Sequence, residues 1–371
     1  MRTATRWAAP AALATTIAAV AVGIPSLASA DPDLPPTTAA ELLVDIAGAQ
    51  AQPFSGTVVQ TTDIGLPELP THGQTSELTS LIAGSTTVRL WYGGPEQARI
   101  AVLGTLAETD VVRNGQDLYV WRSDSNEAQH ATLPEHEASG GQSPPVPGGA
   151  SPADAAEAAL AAIDPSTEVT LDGTASVAGR DAYELVLEPR DTKSLVGEVR
   201  LAVDAVTSFP LRVQVTARGA SEPTYENGFE SVTFGKPAEE VFAFSPPPGA
   251  TLTELAPGAA PSAAGRLPDA AAPPATAAQR PTVVGDGWTS VLVLRGVDPA
   301  AVAESVGGDG IGATLLQAFR PVSGEYGSGR VFGSSLVSVL MLDDGRTLVG
   351  SVPVDVLERA ALDPAAALEA P

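Results

Sequence analysis

The sequence predicts an α+β fold, in which a curved antiparallel sheet forms a half-barrel, helices lie in its concave face, and a small α+β module follows. Between residues 177 and 215, three runs alternate apolar and polar side chains with period two, which is typical of strands with one dry side. Turn-forming residues separate these runs, so they form an antiparallel meander. Because one side of such a sheet is apolar, other elements must cover it.

Composition excludes several kinds of chemistry. The chain has 371 residues and no cysteine, which excludes disulfides, thiolate metal sites, a cysteine nucleophile and a lipid-anchored N-terminal cysteine. It carries 44 Asp and Glu against 20 Lys and Arg, a formal net charge of -24. A field of this sign repels phosphate backbones and anionic membrane surfaces, so we expect no nucleic-acid partner.

Residues 1–30 read as a signal peptide. Arg2 and Arg6 precede an uncharged apolar stretch at residues 8–24, and Ala28, Ser29 and Ala30 fit the small-residue rule for cleavage. The apolar stretch is also close to the length of a membrane span, so an uncleaved membrane anchor is the alternative interpretation. Either way, we expect an exported protein on the outer side of the cytoplasmic membrane, extracellular or in the cell envelope.

Residues 37–254 are predicted to form the half-barrel domain, with about eight to ten antiparallel strands. Thr38 is positioned to cap a first helix, and Ser151 with Pro152 to begin a second. Asn114 and Gly115 indicate a two-residue hairpin corner. We expect helices at residues 39–48 and 151–163, and strands at residues 54–62, 86–92, 98–103, 110–112, 118–121, 183–187, 199–203, 211–215 and 224–234, with residues 241–244 closing the domain against the last strand.

A second unit follows the half-barrel. Residues 255–280 are almost wholly Ala, Pro, Gly and Ser, which is typical of a flexible linker. Residues 281–371 are long enough for a thin core of their own. In this module we expect strands at residues 288–297, 330–335, 336–342 and 347–352, a turn at residues 343–345, a last helix at residues 354–362, and two helices on either side of the glycines at residues 307–312.

The order of these segments resembles the lipoprotein-carrier superfamily, which includes LolA, LolB, the RseB-type regulators and the lipid-binding lipoproteins of mycolate-bearing bacteria. The matching pieces occur in order at residues 54–58, 89–99, 112–121, 177–185, 201–212 and 242–250. The final module resembles the C-terminal module of the RseB-type regulators in its arrangement only. The resemblance implies a LolA-like half-barrel whose hollow binds acyl chains or a lipid-modified peptide beneath its helices.

The inward-facing residues of the strands are the candidate binding residues. Short Ala-rich helices fill little volume, so a gap lined by strand residues is one interpretation. An ordinary packed core is the other, and without the resemblance the residues favour it, because most inward strand residues simply pack. The candidate lining consists of Val58, Leu90, Ile100, Val102, Leu118, Val120, Leu185, Leu187, Leu201, Val203, Leu211 and Val213.

Catalytic and metal-binding patterns are weak throughout. His130 and His136 flank a short stretch without rigid spacing, and we interpret it as a solvated loop. His72 stands in another Ser- and Thr-rich loop, and no G-x-S-x-G elbow supports a serine triad. The glycines at residues 307–312 lack the Lys-Ser/Thr ending of a phosphate loop. We therefore predict no catalytic residue, no metal, no cofactor and no enzyme activity.

Two functions follow from this reading. The first is an extracytoplasmic carrier or sensor that binds a lipid, an acyl chain or a lipoprotein in the half-barrel. The alternative is an RseB-like regulatory protein that docks on a membrane-bound partner, such as an anti-sigma factor or a transport protein, without carrying lipid. We expect a monomer in both cases.

Overall fold

The structure, a computed structural model, describes residues 32–49, 52–65, 84–104, 107–133, 151–255, 281–296 and 318–363. The helices of these ranges are α1 (Ala39–Gly48), α2 (Pro152–Ala161) and α3 (Val354–Ala361). The strands are β1 (Phe54–Thr62), β2 (Gly84–Gly94), β3 (Gln97–Leu103), β4 (Glu108–Asn114), β5 (Asp117–Arg122), β6 (Glu127–Thr132), β7 (Thr167–Val177), β8 (Arg180–Pro189), β9 (Val196–Asp204), β10 (Pro210–Ala217), β11 (Tyr225–Phe234), β12 (Thr251–Glu254), β13 (Thr282–Val284), β14 (Val291–Arg295), β15 (Arg320–Gly324), β16 (Gly327–Gly333), β17 (Ser338–Leu342) and β18 (Arg346–Gly350).

Within the described ranges, the first twelve strands form one large sheet. Their order across the sheet is β12-β6-β5-β4-β3-β2-β1-β11-β10-β9-β8-β7. Each neighbouring pair is antiparallel except β12 and β6, which run parallel. The prediction of a purely antiparallel sheet is therefore wrong at this edge. The segment after β11 returns to β6 through a short 3₁₀ helix, Glu239–Phe242, and so β12 joins the edge in the parallel direction.

The remaining described strands form a small antiparallel sheet in the order β13-β14-β18-β17-β16-β15. Helix α3 packs on one side of it, and Leu357 of the helix contacts the same core as Val293, Leu340 and Leu348. All four side chains are fully buried. Asp344 accepts a hydrogen bond from the Arg346 backbone at 3.0 Å, which forms the turn between β17 and β18 where the sequence predicts one.

Both predicted helix starts of the large-sheet region are confirmed. Thr38 and Glu41 form a reciprocal capping box at α1, in which each side chain accepts a hydrogen bond from the other residue's backbone. Ser151 and Asp154 form the same box at α2, with Pro152 in the first turn. These contacts satisfy amide groups that a helix start otherwise leaves without partners.

The meander of β8, β9 and β10 is confirmed by its pairing, but one residue on its polar side is not solvated as expected. The Asp204 carboxylate is buried. It pairs with the Arg180 guanidinium and accepts hydrogen bonds from the Val206 and Thr207 backbones at 3.1 and 2.8 Å. Hydrogen bonds with Arg180 and Thr207 outweigh burial and lower the pKa of Asp204. This aspartate therefore organises the turn into β10.

Other differences from the predicted elements have local causes. The corner between β4 and β5 is formed by Gly115 and Gln116, because Asn114 still pairs with Asp117, and Gly115 has φ 65°. Val241 and Phe242 belong to the 3₁₀ helix, which packs mainly on β3 and β4. The sequence analysis also missed β6, β7, β12, β13 and β15, whose alternation of apolar and polar residues is weak.

Several predictions concern residues outside the described ranges. These are the signal peptide, most of the predicted linker, the two helices around residues 307–312, and the histidines at positions 72 and 136. Among the residues that the structure does describe, no helix is both long enough and apolar enough to span a bilayer.

Candidate ligand-binding face

The predicted lining residues share one side of the large sheet, which we call the inner face. Directly opposed residues of an antiparallel pair point to the same side. Val58 lies opposite Val88 and Phe229, and the register continues across the sheet to Val120 in β5 and to Leu185 in β8. All the predicted residues except Leu211 fall on this side. Leu211 stands at a register shift in β10, so the pairing does not place it, but it is fully buried.

The predicted residues separate into two apolar clusters. Cluster one contains Val58, Leu90, Ile100, Leu118, Val120 and Leu211, with the half-buried Val102 packed against it. Cluster two contains Leu185, Leu187, Leu201, Val203 and Val213. The sequence analysis treated the twelve residues as one lining, because alternation identifies a face but not the neighbours above it.

Aromatic side chains close cluster one. The Phe54 ring lies 5.2 Å from the Phe209 ring and 5.8 Å from the Phe229 ring, centroid to centroid. Phe234 contacts Phe209 edge-on at 5.6 Å. Three of these rings come from β1 and β11, and Phe209 comes from the turn before β10. Cluster one is thus packed by side chains of the large-sheet region itself.

A glycine makes this aromatic packing possible. Gly56 lies in β1 opposite Val232, and a Cβ atom placed on it would stand 2.6 Å from the Ser231 carbonyl oxygen and 2.8 Å from the Phe229 ring. Any side chain at this position would therefore displace the ring or the neighbouring strand.

Cluster two is covered by elements that do not belong to the sheet. Leu42 of α1 and Ala156 of α2 are buried in it, and Leu336, from the loop before β17, is buried there too. Trp288 and Val337 from the small-sheet region pack at its margin. Alanines make most of the α2 contacts, whereas α1 contributes the larger Leu42, Leu43 and Ile46. The sequence analysis anticipated slight helices but missed the contribution of the small-sheet region.

Hydrogen bonds join the small-sheet region to this side of the large sheet. The Trp288 indole donates to the Thr167 hydroxyl at 2.7 Å, and the Leu195 amide donates to the Ser351 carbonyl at 2.8 Å. A third, longer bond runs from the Ser335 amide to the Ile64 carbonyl at 3.3 Å. A neutral hydrogen bond contributes about 1 kcal/mol net, so these three bonds stabilise the attachment of the small-sheet region only modestly.

A row of polar side chains crosses the inner face between the two clusters. Thr86, Gln60 and Asn227 are directly opposed on β2, β1 and β11, and their exposed fractions are 4%, 6% and 1%. Tyr225 stands next on β11 and accepts a hydrogen bond from the Asn227 amide at 3.4 Å. We call these four residues the polar row. Burial raises the pKa of Tyr225, so its hydroxyl stays protonated.

The sequence contained a signal for the polar row that the analysis did not use. Gln60 follows Val58 by two positions, Thr86 precedes Val88 by two, and Asn227 precedes Phe229 by two. Polar residues in phase with an apolar run lie on the buried side of a strand.

The opposite side of the sheet carries structural ion pairs. Arg99 binds Asp110 with its Nη2 at 2.6 Å and donates from Nη1 to the Val241 carbonyl at 3.1 Å, which attaches the 3₁₀ helix to β3. Burial raises the pKa of Asp110, against the opposing effect of Arg99. Glu184 accepts from both Arg200 and Arg212 across β8, β9 and β10. These pairs connect neighbouring strands and do not converge on a cleft.

His130 does not lie in a solvated loop as predicted, but in β6 at the edge of the sheet. Its Nε2 lies 2.8 Å from the Asp117 carboxylate and its Nδ1 lies 2.6 Å from the Glu254 carboxylate. The ring stacks on Tyr119 with centroids 4.4 Å apart. Both ring nitrogens face acceptors, which only an imidazolium satisfies as a double donor.

Within the described residues, His130 and its carboxylate partners do not form a metal centre. Its two carboxylate partners stand at different ring nitrogens, so the three groups do not point at one ion. Among the described residues, no group of three or more His, Asp or Glu side chains is arranged to hold a metal. His130 joins the edge strand β12 to β6 through Glu254.

No family model matches the sequence, and no curated protein matches it either. A chain in the complex structure of Pseudomonas aeruginosa MucA/MucB is 19% identical with a TM-score of 0.41, covering 87% of this chain and 96% of that one. A LolA superfamily protein from Nitrosomonas europaea is 13% identical with a TM-score of 0.22, covering 56% and 99%. An outer membrane lipoprotein-sorting domain from Vibrio parahaemolyticus is 9% identical with a TM-score of 0.19, covering 54% and 94%.

The chain is thus similar to an RseB-type protein and to LolA superfamily proteins, as the sequence predicts. Because these TM-scores are below 0.5, the similarity carries no argument about a ligand or a partner.

Proposed function

We propose that the protein is an exported, non-enzymatic binding protein of the cell envelope that holds an acyl chain of a lipid or lipoprotein on cluster two of the inner face. One observation carries this proposal: cluster two is an apolar strand surface whose cover consists of elements that do not belong to the sheet, and α2 covers it mainly with alanines. A cover of this kind is replaceable without dismantling the sheet beneath it.

The energy balance of such a replacement is plausible. Burying a methylene group contributes about 0.8 kcal/mol, so a long acyl chain gains on the order of 10 kcal/mol before the costs of binding. The costs include exposing Leu42 and Leu336 and breaking the hydrogen bond between Trp288 and Thr167. Each buried leucine contributes roughly 1.5–3 kcal/mol, so the chain offsets the loss of both.

The direct test is to purify the full-length protein from its own host and to extract bound lipids for mass spectrometry. We expect acyl chains to co-purify in near-stoichiometric amounts. In Leu201→Arg, where a cation replaces a fully buried side chain, we expect them to be lost. Leu252→Arg is the matched control, since Leu252 is an exposed leucine of β12 in the same sheet. Retention of lipid by a folded Leu201→Arg protein, shown by circular dichroism, would refute the assignment.

A second function has an observation of its own. Leu185, Leu187 and Leu201 are fully buried by the protein's own side chains, as a filled core requires. Val283 and Leu292, directly opposed on β13 and β14, are exposed on the small sheet. An exposed apolar pair of this kind suits docking on a partner, here a membrane-bound regulatory or transport protein such as an anti-sigma factor.

The docking function predicts a different result. Protein purified from its host would contain no lipid, and in-cell crosslinking would recover a membrane protein attached near β13. Val283→Asp should abolish this crosslink without changing the stability of the fold, because Val283 is 59% exposed. An unchanged crosslink would count against docking through this edge.

A further inference from the structure

The polar row has no evident role in forming the large sheet. Neighbouring positions on the same face carry Val58, Val88 and Phe229, so aliphatic or aromatic side chains fit this surface. Burying an amide or a hydroxyl costs roughly 1–3 kcal/mol unless hydrogen bonds compensate. Each of Gln60, Thr86 and Asn227 has an interaction partner in the structure, although the buried Oδ1 atom of Asn227 has no hydrogen-bond partner. The polar row therefore contributes little to the stability of the fold that valine side chains would not also contribute.

The chemistry of the row indicates what it would recognise. Gln60 and Asn227 each have two N–H donors, and Thr86 and Tyr225 each have one hydroxyl donor. Neighbouring strands lie about 4.8 Å apart, so the opposed side chains of β2, β1 and β11 form a line of donors roughly 10 Å long. None of the four side chains carries a charge, since the raised pKa of Tyr225 keeps its phenol neutral.

The position of the row adds a second constraint. Gln60 stands two residues from Val58 of cluster one, and Asn227 lies opposite Val213 of cluster two. A ligand that reaches the row therefore has hydrocarbon beside its polar group. Neutral carbonyl oxygens flanked by hydrocarbon are found in ester-linked and amide-linked acyl chains.

We propose that the polar row is the subsite that hydrogen-bonds the ester or amide carbonyl of the acyl ligand. This inference rests on the proposed acyl-binding function and deepens it, because it names the linkage that the site selects. On binding, an N–H or O–H donor of the row forms an additional hydrogen bond to the ligand carbonyl. The apolar chain itself lies on cluster two.

The test uses two ligands that differ only in the carbonyl. These are 1-monopalmitoylglycerol, which has an ester, and 1-O-hexadecylglycerol, which has an ether. Their affinities for the full-length protein are measured by displacement of a fluorescent fatty acid. One additional hydrogen bond is worth about 1 kcal/mol or more, so we expect the ester to bind about tenfold more tightly.

Variants of the polar row test which side chains cause the preference for the ester. Gln60→Leu and Asn227→Leu should bring the ratio of the two affinities close to one, and should leave the affinity for the ether unchanged. Gln214→Leu is the matched control, because Gln214 is an amide of β10 that faces the other side and donates to Glu226 at 2.6 Å. It should keep the tenfold preference. Thr86→Val, which keeps the side-chain shape, serves if the leucine variants fail to fold, and it should lower the ratio as well.

The outcomes separate this inference from the proposed function. If the fluorescent fatty acid does not bind saturably, acyl binding itself is wrong and the subsite falls with it. If the probe binds but neither glyceride displaces it, only the subsite is wrong. If both glycerides bind the unmodified protein equally well, the polar row has only a structural role and the subsite assignment is wrong. The same conclusion follows if Gln60→Leu and Asn227→Leu keep the preference for the ester.

Discussion

Apart from Leu211, the predicted lining residues of clusters one and two lie on the same face of one sheet, yet the two clusters are closed in different ways. Cluster one is filled by aromatic rings from β1, β11 and the turn before β10, which are part of the large-sheet region. Cluster two is covered by α1, α2 and Leu336. Removing the cover of cluster one means unfolding the sheet, whereas removing the cover of cluster two means moving separate elements. We therefore propose cluster two, whose cover is separable, as the binding site.

The largest effect should come from breaking cluster one. Phe229→Ala removes a buried ring that contacts Phe54 and Phe209, and should lower the free energy of unfolding by about 3–5 kcal/mol. Acyl binding by the remaining folded protein should be unchanged. Leu201→Ala in cluster two should cost about 2–5 kcal/mol and also weaken acyl binding. Chemical denaturation measures the free energy of unfolding, and probe displacement measures acyl affinity. Equal binding defects in both variants would contradict the distinction between the clusters.

A smaller effect is expected at the glycine beneath Phe229. Gly56→Ala should destabilise the protein by about 1–3 kcal/mol, because the added methyl group overlaps the ring and the Ser231 carbonyl. Gly48→Ala is the control, since Gly48 has open space around its Cα at the end of α1. It should stabilise the helix by roughly 0.5–1 kcal/mol. A neutral Gly56→Ala variant would mean that cluster one is less tightly closed than its contacts indicate.

The cover of cluster two provides the next test. Leu336→Ala shortens a side chain that competes with the ligand for the inner face. Acyl affinity should therefore rise by up to about tenfold, which corresponds to 1.4 kcal/mol. Leu362→Ala is a suitable control, because Leu362 is an exposed leucine of the same region. If Leu336→Ala bound the probe more weakly, Leu336 would line the site instead of covering it.

The smallest effect concerns the edge of the sheet, far from cluster two. Burial lowers the pKa of His130, but Asp117 and Glu254 outweigh burial and raise the pKa above its usual value. The stabilisation of the fold by the charged His130 is therefore fully present below the unfolded-state pKa of about 6.5. It is lost as pH rises through the higher folded-state pKa. His130→Gln should accordingly destabilise the protein more at pH 5 than at pH 9, as measured by urea unfolding. The opposite pH dependence would show that His130 is neutral in the fold.

The sequence predicted the inner face well, because alternation is a local property of each strand. Every predicted lining residue is buried or, for Val102, half-buried. The sequence could not show that the inner face divides into two clusters, since the neighbours of Leu201 and of Phe54 come from distant parts of the chain. The contacts of Leu336 and Trp288 with cluster two were unpredictable for the same reason.

Weak strands and the polar row were missed for different reasons. In β6 the buried residues Ala128 and Ala131 are small and stand three positions apart, so they give no period-two hydrophobic signal. Gln60 and Asn227 were available in the correct phase, but a polar residue within an apolar run is ordinarily read as solvent-facing. His130 was placed in a loop because its partner Glu254 is 124 positions away.

The most direct test of the account is photo-crosslinking of the full-length protein with a fatty acid that carries a diazirine at the end of its chain, followed by peptide mapping. We expect saturable labelling at cluster two, on peptides from residues 180–217 and on the covering residues of α1, α2 and the loop that contains Leu336. Competition by unlabelled fatty acid should remove it. Labelling confined to β1–β5, or labelling that does not saturate, would contradict the claim that the separable cover marks the binding site.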